Sequence, residues 1–322
     1  MIEVKNLTKR YGNHTAVSDL SFTIEKGQIY GFLGPNGAGK STTMNILTGC
    51  LAATAGEVKI GGYDIFEEPA EAKKLIGYLP EQPPLYPDRT PREYLTFVAR
   101  AKHIPEKEIA AQVNRVLAIT QTEDVADRVI KNLSKGYKQR VGIAQAVLGN
   151  PEVIILDEPT VGLDPLQIIE IRELIQDLGK DHTVILSSHI LSEVQAVCQT
   201  IMIIAKGKLV ACDTPGNLEQ LFAGKTHVEL VTEASEEETK EIMAAVPNIS
   251  QMTAENTKEK GCRVTVEFGG QSEQTLCRDI FFAFAKAEKA ILQMTTTKVS
   301  LEDIFIELTD NARKETGNES GI

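Results

Sequence analysis

No stretch of this chain has enough consecutive apolar residues to cross a bilayer. The longest runs are short, such as Val153-Ile154-Ile155-Leu156 and Ile201-Met202-Ile203-Ile204. A spanning helix needs about 20 such residues. Cysteine is scarce: Cys50, Cys198, Cys212, Cys262 and Cys277 are odd in number and form no C-x-x-C pair. That spacing excludes a zinc site and a disulfide framework, and it fits reduced thiols in a cytoplasmic protein. An excess of basic residues is also missing. There are 34 Lys+Arg against 45 Asp+Glu, a net charge of -11, so nucleic acid is not an expected partner. The opening Met1-Ile2-Glu3-Val4-Lys5 has no basic segment followed by an apolar one, and no signal peptide is read there.

What is present is ordinary for a globular protein: 322 residues, 42% hydrophobic and 25% charged, enough for two or three domains with their own cores. The acidity is uneven. Residues 221–322 hold 18 acidic and 11 basic residues, a net of -7, whereas the first 220 hold 27 and 23, a net of -4. The densest run, Glu233 with Glu236-Glu237-Glu238 and Glu241, reads as a solvated helix face, with a docking surface for a basic partner as the alternative.

The first 220 residues alternate strand and helix patterns, which predicts an α/β domain with a mainly parallel sheet. Leu20, Phe22 and Ile24 alternate as in a half-buried strand. Residues 28–33 form a strand that runs into a glycine-rich loop, and a helix follows from Ser41 to near Gly49. Thr90-Pro91-Arg92-Glu93 carries a helix start: a capping Thr, Pro at the first helical position, and Glu three residues after the cap. Residues 90–132 are expected to be mostly helical. The strand over 153–156 is apolar throughout, as a buried parallel strand is, and 183–186 is a similar strand. Helices are expected over 165–178 and 191–197. Beyond Gly224 the order becomes strand, helix, strand, strand, helix, strand, a βαββαβ sandwich. A last helix is expected over 301–309, and a disordered tail over 312–322.

Two motifs carry chemistry. Gly34-Pro35-Asn36-Gly37-Ala38-Gly39-Lys40-Ser41 fits G-x-x-x-x-G-K-[ST], between a strand and a helix as a phosphate loop requires. Glycines let backbone N–H groups converge on phosphate oxygens, and the helix N-terminus adds favourable charge. Lys40 is expected on the terminal phosphates and Ser41 on Mg²⁺. The second motif is the strand 153–156 ending in Asp157-Glu158. Its carboxylates emerge at the C-terminal end of a strand, where open α/β sheets bind ligands. Asp157 is expected to hold Mg²⁺, and Glu158 to orient or deprotonate the attacking water.

Leu133-Ser134-Lys135-Gly136-Tyr137-Lys138-Gln139-Arg140 precedes that strand. Asp157-Glu158-Pro159-Thr160, Gly162-Leu163-Asp164-Pro165 and Ser187-Ser188-His189 follow in order. Over roughly residues 1–220 the chain thereby resembles the ATP-binding cassette (ABC) ATPases. The variant Leu-Ser-Lys-Gly-Tyr, with Leu85-Tyr86-Pro87-Asp88, Arg92-Glu93-Tyr94-Leu95 and Leu301-Glu302-Asp303-Ile304-Phe305, is similar to the ATP-binding subunits of ABC-2-type transporters, which include gliding-motility-associated ATPases.

This resemblance implies a P-loop cassette over residues 1–222, with a helical subdomain at about 90–150. An acidic α+β domain over 225–311 follows. It implies an ATPase that uses ATP and Mg²⁺ and pairs head to tail as a homodimer. It would drive a separate integral-membrane permease from the cytoplasmic face, most naturally as an exporter. Residues 90–132 and the loop 81–87 would form the groove for a permease helix. Ser134 and Gly136 would complete the partner's nucleotide site, and Asp164 lies on the loop that crosses the interface. His189 matches the switch histidine. Tyr11 would stack on adenine beside Val17, Asn36 and Gly37 would complete the phosphate cradle, and Thr42 would contact the α-phosphate. The chain departs from the family pattern at Lys135 and Tyr137, where glycine and glutamine are usual. It departs again at the loop that usually carries a Mg²⁺-touching glutamine, where Glu81 aligns and Gln82 follows. Which of those two faces the metal is open at this point. The alternative function is a non-transport ABC ATPase acting on ribosomes or nucleic acid, disfavoured by the single cassette and the lack of a heptad insertion.

Overall fold

A computed structural model describes residues 1–222, 227–256, 261–268 and 272–297, together with 305. The chain divides into two compact units, Met1–Pro215 and Gly216–Glu307. Apart from residue 305, the expected helix over 301–309 and the tail lie outside the described residues.

The first unit holds two sheets. The smaller is antiparallel in the order β2(His14–Ile24), β1(Ile2–Tyr11), β4(Ala55–Ile60), β5(Tyr63–Asp64). The larger has the order β10(Lys208–Asp213), β9(Thr200–Ala205), β3(Ile29–Leu33), β8(Thr183–Ser188), β7(Val153–Asp157), β6(Ile76–Leu79). It is parallel from β9 to β6, with β10 antiparallel at one edge. Every residue of β3, β7 and β8 is buried, which is why 153–156 and 184–186 are apolar on both faces. One core joins the two sheets, with Val4, Leu20 and Ile24 from the smaller and Phe32, Ile155 and Ile185 from the larger.

The strand order positions the site. β8 lies between β3, which feeds the glycine-rich loop, and β7, which ends at the carboxylates. Its register sets Ser187 beside both Phe32 and Asp157. The C-terminal ends of three parallel strands therefore meet at one edge.

The helices α3(Pro91–Ala101) and α4(Glu106–Ile119) follow. Thr90 caps α3 reciprocally: its side chain accepts from Glu93 N–H at 3.2 Å, and the Glu93 carboxylate accepts from Thr90 N–H at 3.1 Å. The buried residues Pro91, Tyr94, Leu95 and Ala99 repeat at helical spacing. α5(Lys135–Val147) is covered on most sides. Buried Arg140 ties it to the end of α4 through Thr120 O (3.1 Å), and to α6(Pro165–Leu178) through Glu170 (2.7 Å).

The second unit is the expected βαββαβ arrangement: β11(His227–Thr232), α9(Glu236–Met243), β12(Ile249–Asn256), β13(Cys262–Phe268), α10(Glu273–Lys286), β14(Ile291–Thr297), with sheet order β12-β13-β11-β14. Alternate residues of β11 and β13, such as Val228, Leu230, Val264 and Val266, pack with Leu276, Ile280 and Phe284 of α10. The acidic run is partly a helix start. Ser235 and Glu238 cap α9 reciprocally, and Glu236 pairs with Lys240 at 2.6 Å. Three glutamates in a first turn complement the helix dipole.

Candidate nucleotide site

The loop after β3 is shaped by its glycines. Gly39 has φ +104°, and a Cβ there would lie 2.5 Å from Ala16 O, so only glycine fits. The helix α1(Lys40–Leu47) starts at once from this left-handed residue. Lys40 folds back into the loop. Its buried ammonium donates to Gly34 O at 2.8 Å and to Pro35 O at 3.4 Å, and it stands 3.3 Å from Glu158 Oε1.

Around this loop lies an open cavity of about 540 Å³. Asn36, Gly37, Gly39, Lys40, Ser41 and Thr42 form its phosphate-loop wall, with Tyr11, His14, Ala16, Glu81, Glu158, Val161 and His189 around them. Gly34, Pro35 and Ala38 shape the loop from behind through backbone bonds. Tyr11 is half exposed at the rim, with Lys9 Nζ 5.1 Å from its ring centre. Val17 is fully buried in the core, and its neighbour Ala16 takes the place on the wall. Unbroken alternation with Leu20, Phe22 and Ile24 would turn Ala16 inward; the register shift between the pairs Leu7–Leu20 and Lys9–Val17, where Asp19 takes φ +52°, puts Val17 on the inward side instead. Of the two residues left open in the sequence, Glu81 lines the cavity. Gln82 lines an adjoining groove with Lys135 and Lys138.

The carboxylates are held from β8. Ser187 Oγ donates to Asp157 Oδ1 at 2.5 Å and accepts from Glu158 N–H at 2.9 Å. Ser41 Oγ donates to the same Asp157 oxygen at 3.2 Å. Burial pushes the Asp157 carboxyl above the usual carboxylate range, and the Ser187 and Ser41 hydroxyls partly restore it. A hydroxyl beside a buried carboxylate is a hard oxygen pair that fits one edge of a Mg²⁺ shell, with the remaining ligands left to phosphate and water. Glu158 adopts φ +49°, a left-handed conformation that costs a non-glycine residue about 1 kcal/mol or more. Its other carboxylate oxygen accepts from His189 Nδ1 at 2.9 Å. Ser187 was not singled out by sequence reasoning; its register opposite Asp157 is the signal that finds it.

The remaining expected residues lie elsewhere. Ser134 caps α5, accepting from Tyr137 N–H at 3.3 Å, and Asp164 caps α6, accepting from Gln167 N–H at 2.9 Å. With Gly136, Tyr137, Arg140 and Gln167 they line a separate depression. Gly136 abuts the side chain of Gln167, where a Cβ would come within 2.7 Å.

A phosphate loop, a Ser-Asp pair and a Glu-His pair at one sheet edge define a P-loop nucleotide hydrolase. Comparison with known proteins narrows the class. The ABC transporter family profile matches residues 17–161. The linearmycin resistance ATP-binding protein LnrL of Bacillus subtilis (strain 168) is 31% identical over 310 residues, covering 96% of this chain and 98% of that protein. The bacitracin transport ATP-binding protein BcrA of Bacillus licheniformis is 41% identical over 212 residues, covering 65% of this chain and 68% of that protein. A dimeric post-hydrolysis structure of the ATP-binding cassette MJ0796, bound to ADP and Pi, matches with TM-score 0.61 and 27% identity over 66% of this chain and 98% of that one. The chain belongs to the ABC transporter family, as an ATP-binding and ATP-hydrolysing cassette.

Proposed function

We propose that this cassette powers a separate integral-membrane permease from the cytoplasmic side, as an exporter ATPase working in a head-to-tail homodimer. The observation that carries it is a division of labour. One chain brings Lys40, Ser41, Glu158 and His189 to one cavity, while Ser134, Gly136 and Asp164 line a different one. Each chain thus offers one complete half and one complementary half. Two copies facing each other would join them into two whole sites. The relatives named for bacitracin transport and linearmycin resistance support the export reading.

In this reading ATP enters with adenine against Tyr11 and its phosphates on the loop 34–42. Backbone N–H groups and the start of α1 receive the phosphate oxygens. Lys40 neutralises the terminal phosphates, and the N-terminus of α5 in the second copy, with Ser134 and Gly136, closes over them. Ser41 and Asp157 would hold Mg²⁺, with Glu81 beside them on the wall. Mg²⁺ there would neutralise charge on the β- and γ-phosphate oxygens. Glu158 orients the attacking water and takes its proton. His189, held by Glu158 through Nδ1, presents Nε2 to the γ-phosphate. The products are ADP and inorganic phosphate.

The permease would dock beside α3. There an open groove of about 590 Å³ carries Tyr86, Arg89, Arg92, Tyr94, Phe97 and Arg100, with Tyr86 and Phe97 about half exposed. Exposed aromatics beside arginines are typical interface anchors. Among the described residues no helix is long and apolar enough to cross a membrane, so in this reading the membrane path belongs to the partner.

The test is Glu158→Gln. It should abolish steady-state hydrolysis, retain ATP binding and move the protein to a dimer in ATP on size exclusion. Normal turnover would overturn the reading. Affinity capture of the wild type from detergent extract should recover a polytopic membrane protein. Recovery of ribosomes instead would overturn the transport assignment.

A further inference from the structure

Glu193 lies in the first turn of α7(Leu191–Val197), immediately after the His189 loop, and is buried. Its Oε2 accepts two hydroxyl hydrogen bonds. One comes from Thr160 Oγ1 at 2.6 Å, the other from Ser188 Oγ at 3.0 Å. A buried carboxylate is costly to keep. Two short donors on one oxygen are what holds this one in place.

The two hydroxyls flank the reacting pair. Thr160 is two residues past Glu158, in a turn closed by Val161 N–H on Glu158 O at 3.2 Å. Ser188 directly precedes His189, and its Oγ also accepts from Ile190 N–H at 3.0 Å. His189 is therefore the middle residue of a turn pinned by Ser188, and Ser188 is pinned by Glu193. On the far side, Ser187 fixes Asp157 and the Glu158 N–H. The Glu158–His189 hydrogen bond at 2.9 Å thus lies between two clamps that join the ends of β7 and β8.

We propose that Glu193 is a positioning residue: it ties the turn after Glu158 to the turn carrying His189 and so sets the distance between those two side chains. The proposal rests on the reading of Glu158 and His189 as the reactive pair. Misplacing a catalytic group by about 1 Å can cost about 100-fold in rate. Losing the tie should therefore lower kcat and leave nucleotide affinity alone, because Glu193 does not line the nucleotide cavity.

The experiment uses the full chain and single-turnover ATP hydrolysis. Glu193→Ala should lower the rate by about 10- to 100-fold, with ATP affinity changed by less than about 3-fold. Glu193→Gln keeps an amide oxygen for the hydroxyls and should recover most of that loss. In a His189→Ala background, Glu193→Ala should cost less than about 3-fold more, because its effect runs through His189. An equal loss in both backgrounds, a pure affinity change, or no change in rate would overturn the proposal. If Glu193→Ala does not fold, Thr160→Val removes one arm of the tie and must slow hydrolysis without weakening binding. Glu158→Gln and His189→Ala separate the two failures. If both keep normal turnover, the underlying reading falls; if both lose it and Glu193→Ala does not, only the brace falls.

Discussion

Ser187→Ala removes a hydroxyl that makes two hydrogen bonds in a fully buried position. Both partners are then left short. The Glu158 N–H loses its acceptor in a part of the sheet closed to water, and an orphaned buried donor costs about 1–3 kcal/mol. Asp157 loses a donor to its carboxylate, and a hydrogen bond to a charged group contributes about 1.5–3 kcal/mol. The methyl group itself fits, so packing adds little. The expected loss of stability is about 2.5–6 kcal/mol by simple addition. The lower half is favoured because Ser41 still donates to Asp157. The left-handed Glu158 backbone would lose a bond that helps to hold it, so its carboxylate should no longer face Lys40 and His189. The Asp157 carboxyl, already raised by burial, should rise further without its donor. Urea unfolding of the full chain measures the first effect, and steady-state ATP hydrolysis measures the second. Ser192→Ala on the exposed face of α7 is the control and should stay within about 0.5 kcal/mol of wild type. A Ser187→Ala protein within about 0.5 kcal/mol of wild type, with full turnover, would refute the reasoning.

Other outcomes follow from the same geometry. Gly39→Ala forces a side chain onto φ +104° and into Ala16 O, so ATP binding measured by equilibrium titration should be lost, with about 2 kcal/mol or more of stability. Thr90→Ala breaks the capping box of α3 and should cost about 1 kcal/mol in urea unfolding, with nucleotide affinity unchanged. Iodoacetamide at pH 8 should alkylate exposed Cys50 in the native protein and spare buried Cys198 until urea is added; burial pushes the Cys198 thiol well above its ordinary range, so little reactive thiolate forms.

The glycine-rich loop, the carboxylate strand and the capped start of α3 were legible in the sequence because each depends on neighbours within a few residues. Local rules also describe the second unit: alternation in β11 and β13 and helical spacing in α10 reproduce its order of elements. β1 was harder to read. Its pairing with β2 shifts register between Val4 and Leu7, Leu7 and Lys9, and Lys9 and Arg10, and those irregularities break the alternation that marks a strand. Position in a motif did not say which way a side chain would point. Val17 turns into the core and Ala16 onto the cavity wall because the irregularity of β2 near Asp19 reverses the alternation set by Leu20, Phe22 and Ile24. Glu81 takes the cavity wall, and Gln82 the adjoining groove.

By itself, then, the sequence determined which chemical groups the chain carries: a glycine-rich phosphate-loop motif with Lys40 and Ser41, an Asp157-Glu158 pair at a strand end, and His189 after another strand. The tertiary structure alone decided how those groups are held. Ser187 meets Asp157, and Thr160 meets Glu193, because β8 pairs with β7 with Ser187 in register with Asp157. Thr160 and Glu193 are 33 residues apart, and Ser41 and Asp157 are 116 apart. Hydrogen bonds over such separations depend on strand order and register, which no local pattern encodes.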